Sequence, residues 1–296
     1  MQDAGRGKLI LCPTPLGNLG DVSRRVLEAL EAVDVVCAED TRVTAKLLAA
    51  LGVSKRLERL DEQRMGALAP RYVQRVLAGE TIAYCSDAGM PGISDPGQRL
   101  VRAARAAGAP VEVLPGPTAF ATAYVASGCE STRFYFGGFF PRKAAERVQT
   151  LRQLAGLDAA LIFYESPFRV PEALACIAGE LPKRQVAVCR ELTKLHEEVF
   201  VARADEAARE FAERAQNGTV KGEFVLVIDG PAAEEEQEGY RCGIEQARVL
   251  AGELLEQGLF TKQVAKRLRA ECGISRNHAY ALAMDPNAEL QDDDQA

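Results

Sequence analysis

The stretch "CSDAGMPGISDPGQRL", residues 85–100, follows a strand-like run, "TIAYCS" (81–86), and leads into a helical pattern, "SDPGQRLVRAARAAG" (94–108). Its three glycines, two prolines and two aspartates suit a junction at the carboxyl edge of a parallel sheet. Glycine lets backbone approach a ligand, proline fixes the loop beforehand, and such edges are where open parallel sheets bind ligands. A plain turn has the same composition, so the reading depends on what else reaches that edge.

Outward from this stretch, strand-like and helical patterns alternate. "KLILC" (8–12), "VDVVCA" (33–38) and "VEVLPG" (111–116) are β-rich, and helical periodicity fills "DVSRRVLEALEAV" from Asp21, "TRVTAKLLAALG" from Thr41 and "LAPRYVQRVLAG" (68–79). Asp21 and Ser94 are placed to cap helix N-termini, and Gly52, Gly79 and Gly108 to end helices. A second series follows: "FYFGGF" (134–139), a helix near 143–155, "AALIFYE" (159–165), a helix from Pro167, "QVAVCREL" (185–192), a helix near 205–216 and "GEFVLVIDG" (222–230). The pattern predicts an α/β protein with a mainly parallel first sheet. Its expected parts are two α/β domains (1–117 and 118–230), an acidic linker (231–239), a small helical module resembling a helix-turn-helix (240–285) and an acidic tail expected to be disordered (286–296).

The chain is long enough for two cored domains, and none of its apolar runs approaches the roughly 20 residues of a membrane span. The opening "MQDAGRGKLILCPTP" holds too short an apolar stretch for a signal peptide, so the expectation is a soluble, cytoplasmic protein with no membrane partner. Eight scattered cysteines without a C-x-x-C pair predict neither a metal site nor a disulfide framework. Net charge is -6, but residues 229–239 and 285–296 contribute -5 each, so the remainder is basic. Residues 240–284 carry a local +3, which admits a polyanionic partner.

Four polar or Gly/Pro-rich stretches sit at strand ends: "CPTPLGNLGD" (12–21), "CAEDTR" (37–42), "SDAGMPGISDPG" (86–97) and "LPGPTAF" (114–120). Their coincidence at one sheet edge favours a binding site over four unrelated turns. Neither G-x-G-x-x-G after the first strand nor a G-x-x-x-x-G-K-[ST] is present, which disfavours a pyrophosphate ligand. Glu39, Asp40, Asp87 and Asp95 make the edge acidic, suiting an amine, a ribose hydroxyl or a cation.

Together with "FYFGGFFPRK", "LIFYESPFR", "RELTKLHEE" and "KGEFVLVI", these stretches resemble, in order and spacing, the tetrapyrrole methylase superfamily, and within it the branch that methylates a cytidine ribose in small-subunit ribosomal RNA. The resemblance covers roughly residues 8–230. It implies S-adenosylmethionine bound between two α/β domains, a homodimer, and ribosomal RNA, in the assembled subunit, as the substrate. By position it implies cofactor contacts at Pro15, Leu16, Asp87, Ala88, Gly89, Ile93, Thr118, Ala119, Tyr164, Glu165 and Phe224. This chain departs from the family pattern at Val43 and near Asp61, where histidines are expected, and at Met90 and Gly92.

Methyl transfer to a ribose hydroxyl needs collinear oxygen, carbon and sulfur, with a base or a cation helping the hydroxyl react. Arg42 and Lys194 are the leading candidates for phosphate or oxyanion partners, Glu39 and Glu191 for bases, and Lys221 for a substrate contact. In the helical module Lys262, Lys266 and Arg269 would meet RNA phosphates, with Thr261 and Ser275 as N-caps and Gly258 and Gly273 as stops. Two other classes stay open at this point: a small-molecule methyltransferase of the same superfamily, and a non-catalytic RNA-binding protein.

Overall fold

The computed structural model describes residues 7–231 and 233–290, with backbone only for residues 233–242 and for Ala270. Strands β1 (Leu9–Leu11), β2 (Val35–Ala38), β3 (Leu57–Arg59), β4 (Ile82–Cys85) and β5 (Val111–Val113) form one sheet, ordered β3-β2-β4-β1-β5 with every pair parallel. Helices α1 (Arg24–Ala32), α2 (Thr41–Ala50), α3 (Glu62–Leu77) and α4 (Gly97–Ala106) make the crossovers. β1, β2 and β4 are buried at every position, which is why they read as continuous apolar runs rather than alternating ones. Because neighbouring strands run the same way, the loops after β1, β2, β4 and β5 emerge at one edge.

After α5 (Ala119–Ser127) comes a second sheet of β6 (Phe134–Phe139), β7 (Ala160–Glu165), β8 (Gln185–Arg190), β9 (Glu198–Arg203) and β10 (Phe224–Ile228), ordered β6-β7-β10-β8-β9. Only β6 and β7 are parallel; β10 runs antiparallel to both β7 and β8, and β8 to β9. Phe224 therefore pairs with Glu165 on one side and Arg190 on the other, so the end of β7, the start of β10 and the turn after β8 share an edge. Helices α6 (Ala144–Leu154), α7 (Val170–Glu180) and α8 (Ala204–Gln216) complete this half.

Two compact units result: one holds both sheets, the other the stretch 152–158 with the chain from 230 onward. In the second, α9 (Ala233–Glu256), α10 (Thr261–Cys272) and α11 (Arg276–Met284) pack around Ala247, Ala251, Leu254, Val264, Leu268 and Leu282. The acidic stretch read as a linker is helical from Ala233 on, as the first turns of α9. Arg248 donates to the carbonyls of Pro286 (2.9 Å) and Ala288 (2.8 Å), fixing the first residues of the acidic tail; 291–296 lie outside the described residues. Among the described residues no helix is long and apolar enough to cross a membrane.

Several caps differ from the sequence reading. Ser23, not Asp21, caps α1, accepting from Val26 N at 3.3 Å, while Asp21 closes a short 3-10 turn. At α4 the organising side chain is Asp95, whose Oδ1 accepts from Gly92 N and Gly97 N at 2.7 Å each, and Ser94 lies in the loop at φ +60°. Phe260, not Thr261, precedes α10, its N–H held by Gln263 Oε1 at 3.1 Å, whereas Ser275 does cap α11. Gly52, Gly79, Gly108, Gly258 and Gly273 all take positive φ at helix ends.

Candidate functional site

The opening stretch forms a wall. Thr14 and Gly89 exchange backbone hydrogen bonds (2.9 and 3.1 Å), tying the loop after β1 to the loop after β4. Thr14 Oγ1 donates to Ser86 O at 3.2 Å and Ser86 Oγ to Gly89 O at 3.2 Å, locking the crossing from beneath. Gly89 takes φ +78°, and a Cβ there would lie 3.1 Å from Leu16 Cδ2 and 3.4 Å from Pro117 O. The loop after β2 joins through Asp87, whose Oδ1 accepts from Asp40 N at 3.0 Å.

These loops and the shared edge of the second sheet enclose a cavity of about 390 Å³. Of the cofactor residues expected from sequence, Leu16, Asp87, Ala88, Gly89, Ile93, Thr118, Ala119, Tyr164, Glu165 and Phe224 line it; Pro15 faces a neighbouring groove instead. Tyr164 is held in place by its hydroxyl, which accepts from Phe120 N at 3.2 Å, and by the Phe136 and Phe139 rings packed edge-on. Phe139, Ser166, Pro167, Cys189 and Leu192 also line the cavity and were missed. Cys189 and Leu192 belong to a run that reads as strand core, and nothing in its pattern marks one end as a cavity wall.

Of the candidate catalytic groups, Glu39 lines the cavity and has no salt-bridge partner among the described residues. Its partial burial, with the nearby charges of Asp87, Asp95, Glu62 and Asp61, raises its pKa to about 7. Asp95 is also raised, by burial above all, against the lowering effect of its two backbone N–H partners. Arg42 is an exposed side chain clamped to Asp40 at 2.5 Å. Its guanidinium holds the Asp40 carboxyl well below the usual range.

Glu191 and Lys194 stand beside the cavity on a turn that bends sharply: Glu191 has φ +49° and Thr193 φ +66°, a conformation that costs of order 1–3 kcal/mol for such residues. Lys194 Nζ holds this turn to the start of β10, donating to Glu191 Oε1 and Glu223 Oε2 at 2.9 Å each. Burial alone would raise Glu191; the bonds from Lys194 and from Glu223 N outweigh it and leave the carboxyl lowered. The lysine stem crosses to the loop after β1, where a Cβ on Gly17 would fall 2.1 Å from Lys194 Cγ. Lys221 is exposed before β10, its carbonyl accepting from Arg190 Nε at 2.6 Å. Lys262, Lys266 and Arg269 belong to the helical unit, where they recur along one exposed face of α10.

Comparison with known proteins gives this geometry a context. Residues 8–208 match the tetrapyrrole (corrin/porphyrin) methylase family. The ribosomal RNA small subunit methyltransferase I of Escherichia coli O157:H7 is 38% identical over 284 residues, 96% of each chain. That of Halalkalibacterium halodurans is 36% identical over 277 residues, 94% of each chain. The chain belongs to the tetrapyrrole methylase family, in its ribosomal RNA small subunit methyltransferase I group. Solved tetrapyrrole methylase folds align with it: the methyltransferase CobJ (TM-score 0.59, 20% identity, 76% of this chain and 95% of that one) and diphthine synthase (TM-score 0.59, 15% identity, 78% and 94%).

The cofactor of a tetrapyrrole methylase, S-adenosylmethionine, is a cation with an amine at one end and a flat heterocycle at the other. The cavity's lining fits it. Leu16, Ile93, Ala119 and Phe224 supply apolar surface for the heterocycle, and the backbone at Gly89 comes within contact range. Carboxylates from both sheets supply the negative charge, and among the described residues no lysine or arginine lines the space. Glu165 adds a more pointed sign: its side chain is fully buried, and although Oε1 meets Arg169 and Ser166 N, Oε2 has no hydrogen-bond partner. A buried carboxylate oxygen without a donor is costly, and a ligand N–H or O–H would satisfy it.

Proposed function

We propose that the protein transfers a methyl group from S-adenosylmethionine to the 2′-hydroxyl of a cytidine in small-subunit ribosomal RNA. The observation that carries this reading is coverage: relatives named ribosomal RNA small subunit methyltransferase I match 94–96% of this chain, so the likeness takes in the helical unit as well as the two sheets.

The cofactor supplies an activated methyl: the new carbon–oxygen bond forms as the carbon–sulfur bond breaks, and the hydroxyl proton leaves. The protein's part is placement and proton handling. Glu39 is the better matched of the two candidate bases, because its pKa of about 7 suits proton acceptance near neutral pH, whereas Glu191 is engaged by Lys194 and lowered. Lys194 sits where it can turn from its carboxylates to a substrate phosphate or a developing oxyanion.

RNA docking falls to the helical unit. Lys262, Lys266 and Arg269 recur at i, i+4 and i+7 on α10, while Arg267 is paired with Glu271 at 2.8 Å. Changing all three to glutamate is expected to weaken RNA binding and to flatten the slope of log affinity against log salt by about 0.7 to 0.9 for each phosphate that is no longer neutralised. An unchanged slope would remove α10 from the interface.

The reading includes a cytoplasmic homodimer. Supporting a second copy, Val125 on α5, Val113 on edge strand β5 and Phe134 on edge strand β6 are 78%, 51% and 47% exposed, an apolar surface beside two open sheet edges. The deciding experiment is tritiated methyl transfer to assembled small subunits and to naked RNA in parallel. A nuclease-resistant labelled ribose in the first sample is expected; label on a base, or none on RNA, would sink the proposal.

A further inference from the structure

The carboxylates in the cavity are more numerous than catalysis or folding needs. Glu39, Asp87 and Asp95 line one wall, and buried Glu165, with its unpartnered Oε2, lines the other. The cations nearest the first group are each committed elsewhere: Arg42 to Asp40, Arg59 to Asp61 at 2.7 Å and Arg99 to Glu62 at 3.4 Å. Groups that face Glu39 from the elements around it, Asp87 and Asp95 after β4 and Asp61 and Glu62 at the start of α3, are all acidic. The space is thus bounded by unneutralised negative charge, and the oxygen on its far wall lacks a donor.

Methyl transfer changes the cofactor in one electrostatic respect. The sulfonium carries a positive charge that the thioether product has lost, while shape and the remaining polar groups are nearly the same. We propose that the cavity selects its cofactor by charge, holding the sulfonium form tightly and the thioether product weakly, with Glu39, Asp87 and Asp95 as the selecting groups. The proposal rests on the methyl-transfer reading above and adds to it a means of product release: the reaction itself removes the charge by which the ligand is held.

Glu39 links this selection to protons. At neutral pH it is partly protonated, since its pKa lies at about 7. A cation entering the cavity favours the carboxylate and expels that proton; a neutral thioether does not. Affinity for the sulfonium therefore rises with pH across the range from about 6 to about 8, while affinity for the thioether stays level. The proton expelled on binding also leaves Glu39 ready to accept the one lost by the ribose hydroxyl.

The test is isothermal titration calorimetry of the full chain with S-adenosylmethionine, S-adenosylhomocysteine and sinefungin, whose ammonium group stands where the sulfonium methyl would be. Titrations are run from pH 6 to 8 in buffers of differing ionisation enthalpy. The expected result is S-adenosylmethionine and sinefungin bound about tenfold or more tightly than S-adenosylhomocysteine at pH 8, a gap worth about 1.4 kcal/mol or more. A fractional proton should be released at pH 7 by the two cationic ligands only. Glu39→Gln should abolish that release and narrow the gap severalfold.

S-adenosylhomocysteine binding as tightly as S-adenosylmethionine at pH 8 would overturn charge selection and leave the methyltransferase reading standing. Proton release that persists in Glu39→Gln would overturn the role of Glu39. The three-ligand series on the unaltered protein decides the matter should the variant fold poorly. No binding of any of the three would overturn the methyl-transfer reading itself, and this inference with it.

Discussion

On the cavity wall built from the first sheet, Glu39, Asp87 and Asp95 meet no ammonium or guanidinium within ion-pair distance among the described residues; on the wall from the second sheet, Glu165 has Arg169 at 2.5 Å and Glu223 has Lys194 at 2.9 Å. The same residue type thus serves two purposes. Paired carboxylates hold the β7 and β10 ends and the turn after β8 in register, and removing a partner from such a pair strands a charge. Unpaired ones destabilise the empty protein and are useful only when a ligand supplies the missing charge.

The contrast breaks most visibly at Arg169. Arg169→Met leaves Glu165 fully buried beside its orphaned oxygen, and a loss of about 3 kcal/mol is expected in denaturant unfolding. Adding Glu165→Gln should restore much of that loss; a single variant as stable as the parent would show that the second wall does not depend on its pairs.

Lys194→Met comes next, because Glu191 and Glu223 share that one ammonium. About 1–2 kcal/mol of stability should go, and turnover should fall by roughly 100-fold with cofactor affinity little changed. The stability difference has a sign in pH. Glu191 is lowered below its ordinary 4.5, so the pair's contribution is full above that value and disappears as pH falls through the folded-state pKa. Melting curves of parent and variant should therefore converge in acid.

The smallest effect has the opposite sign. Glu39 is raised from 4.5 to about 7, so both folded and unfolded states are neutral there below 4.5, while above 7 the folded state carries an unfavourable charge. Glu39→Gln should accordingly leave stability unchanged at pH 4 and increase it by about 1 kcal/mol at pH 8, the full shift being discounted for partial exposure. Destabilisation at pH 8 would mean that the first wall is structural too.

How much of this was legible from sequence depended on whether backbone or side-chain pairing carried the feature. Strands β1, β2 and β4 were readable because burial on both faces leaves uninterrupted apolar runs. β3 was not: "LER" at a sheet edge is short and polar. β9 was hidden by charged residues at both ends of "EVFVAR", and α5 by being apolar on every side, with no period to detect. The glycine and proline junctions pointed to the cavity because their chemistry is local. Asp95 as the organiser of α4, the commitment of Arg42 to Asp40, and the orphaned oxygen of Glu165 depend on distances between side chains, which spacing along the chain does not encode.

The close approach of Gly17 to the stem of Lys194 has an evolutionary corollary. Any side chain at position 17 would occupy the space of the lysine's own carbons, so the two sites are free to change only together. Among related sequences, those that replace this glycine should also have given up the lysine, and with it whatever the lysine does for the acceptor.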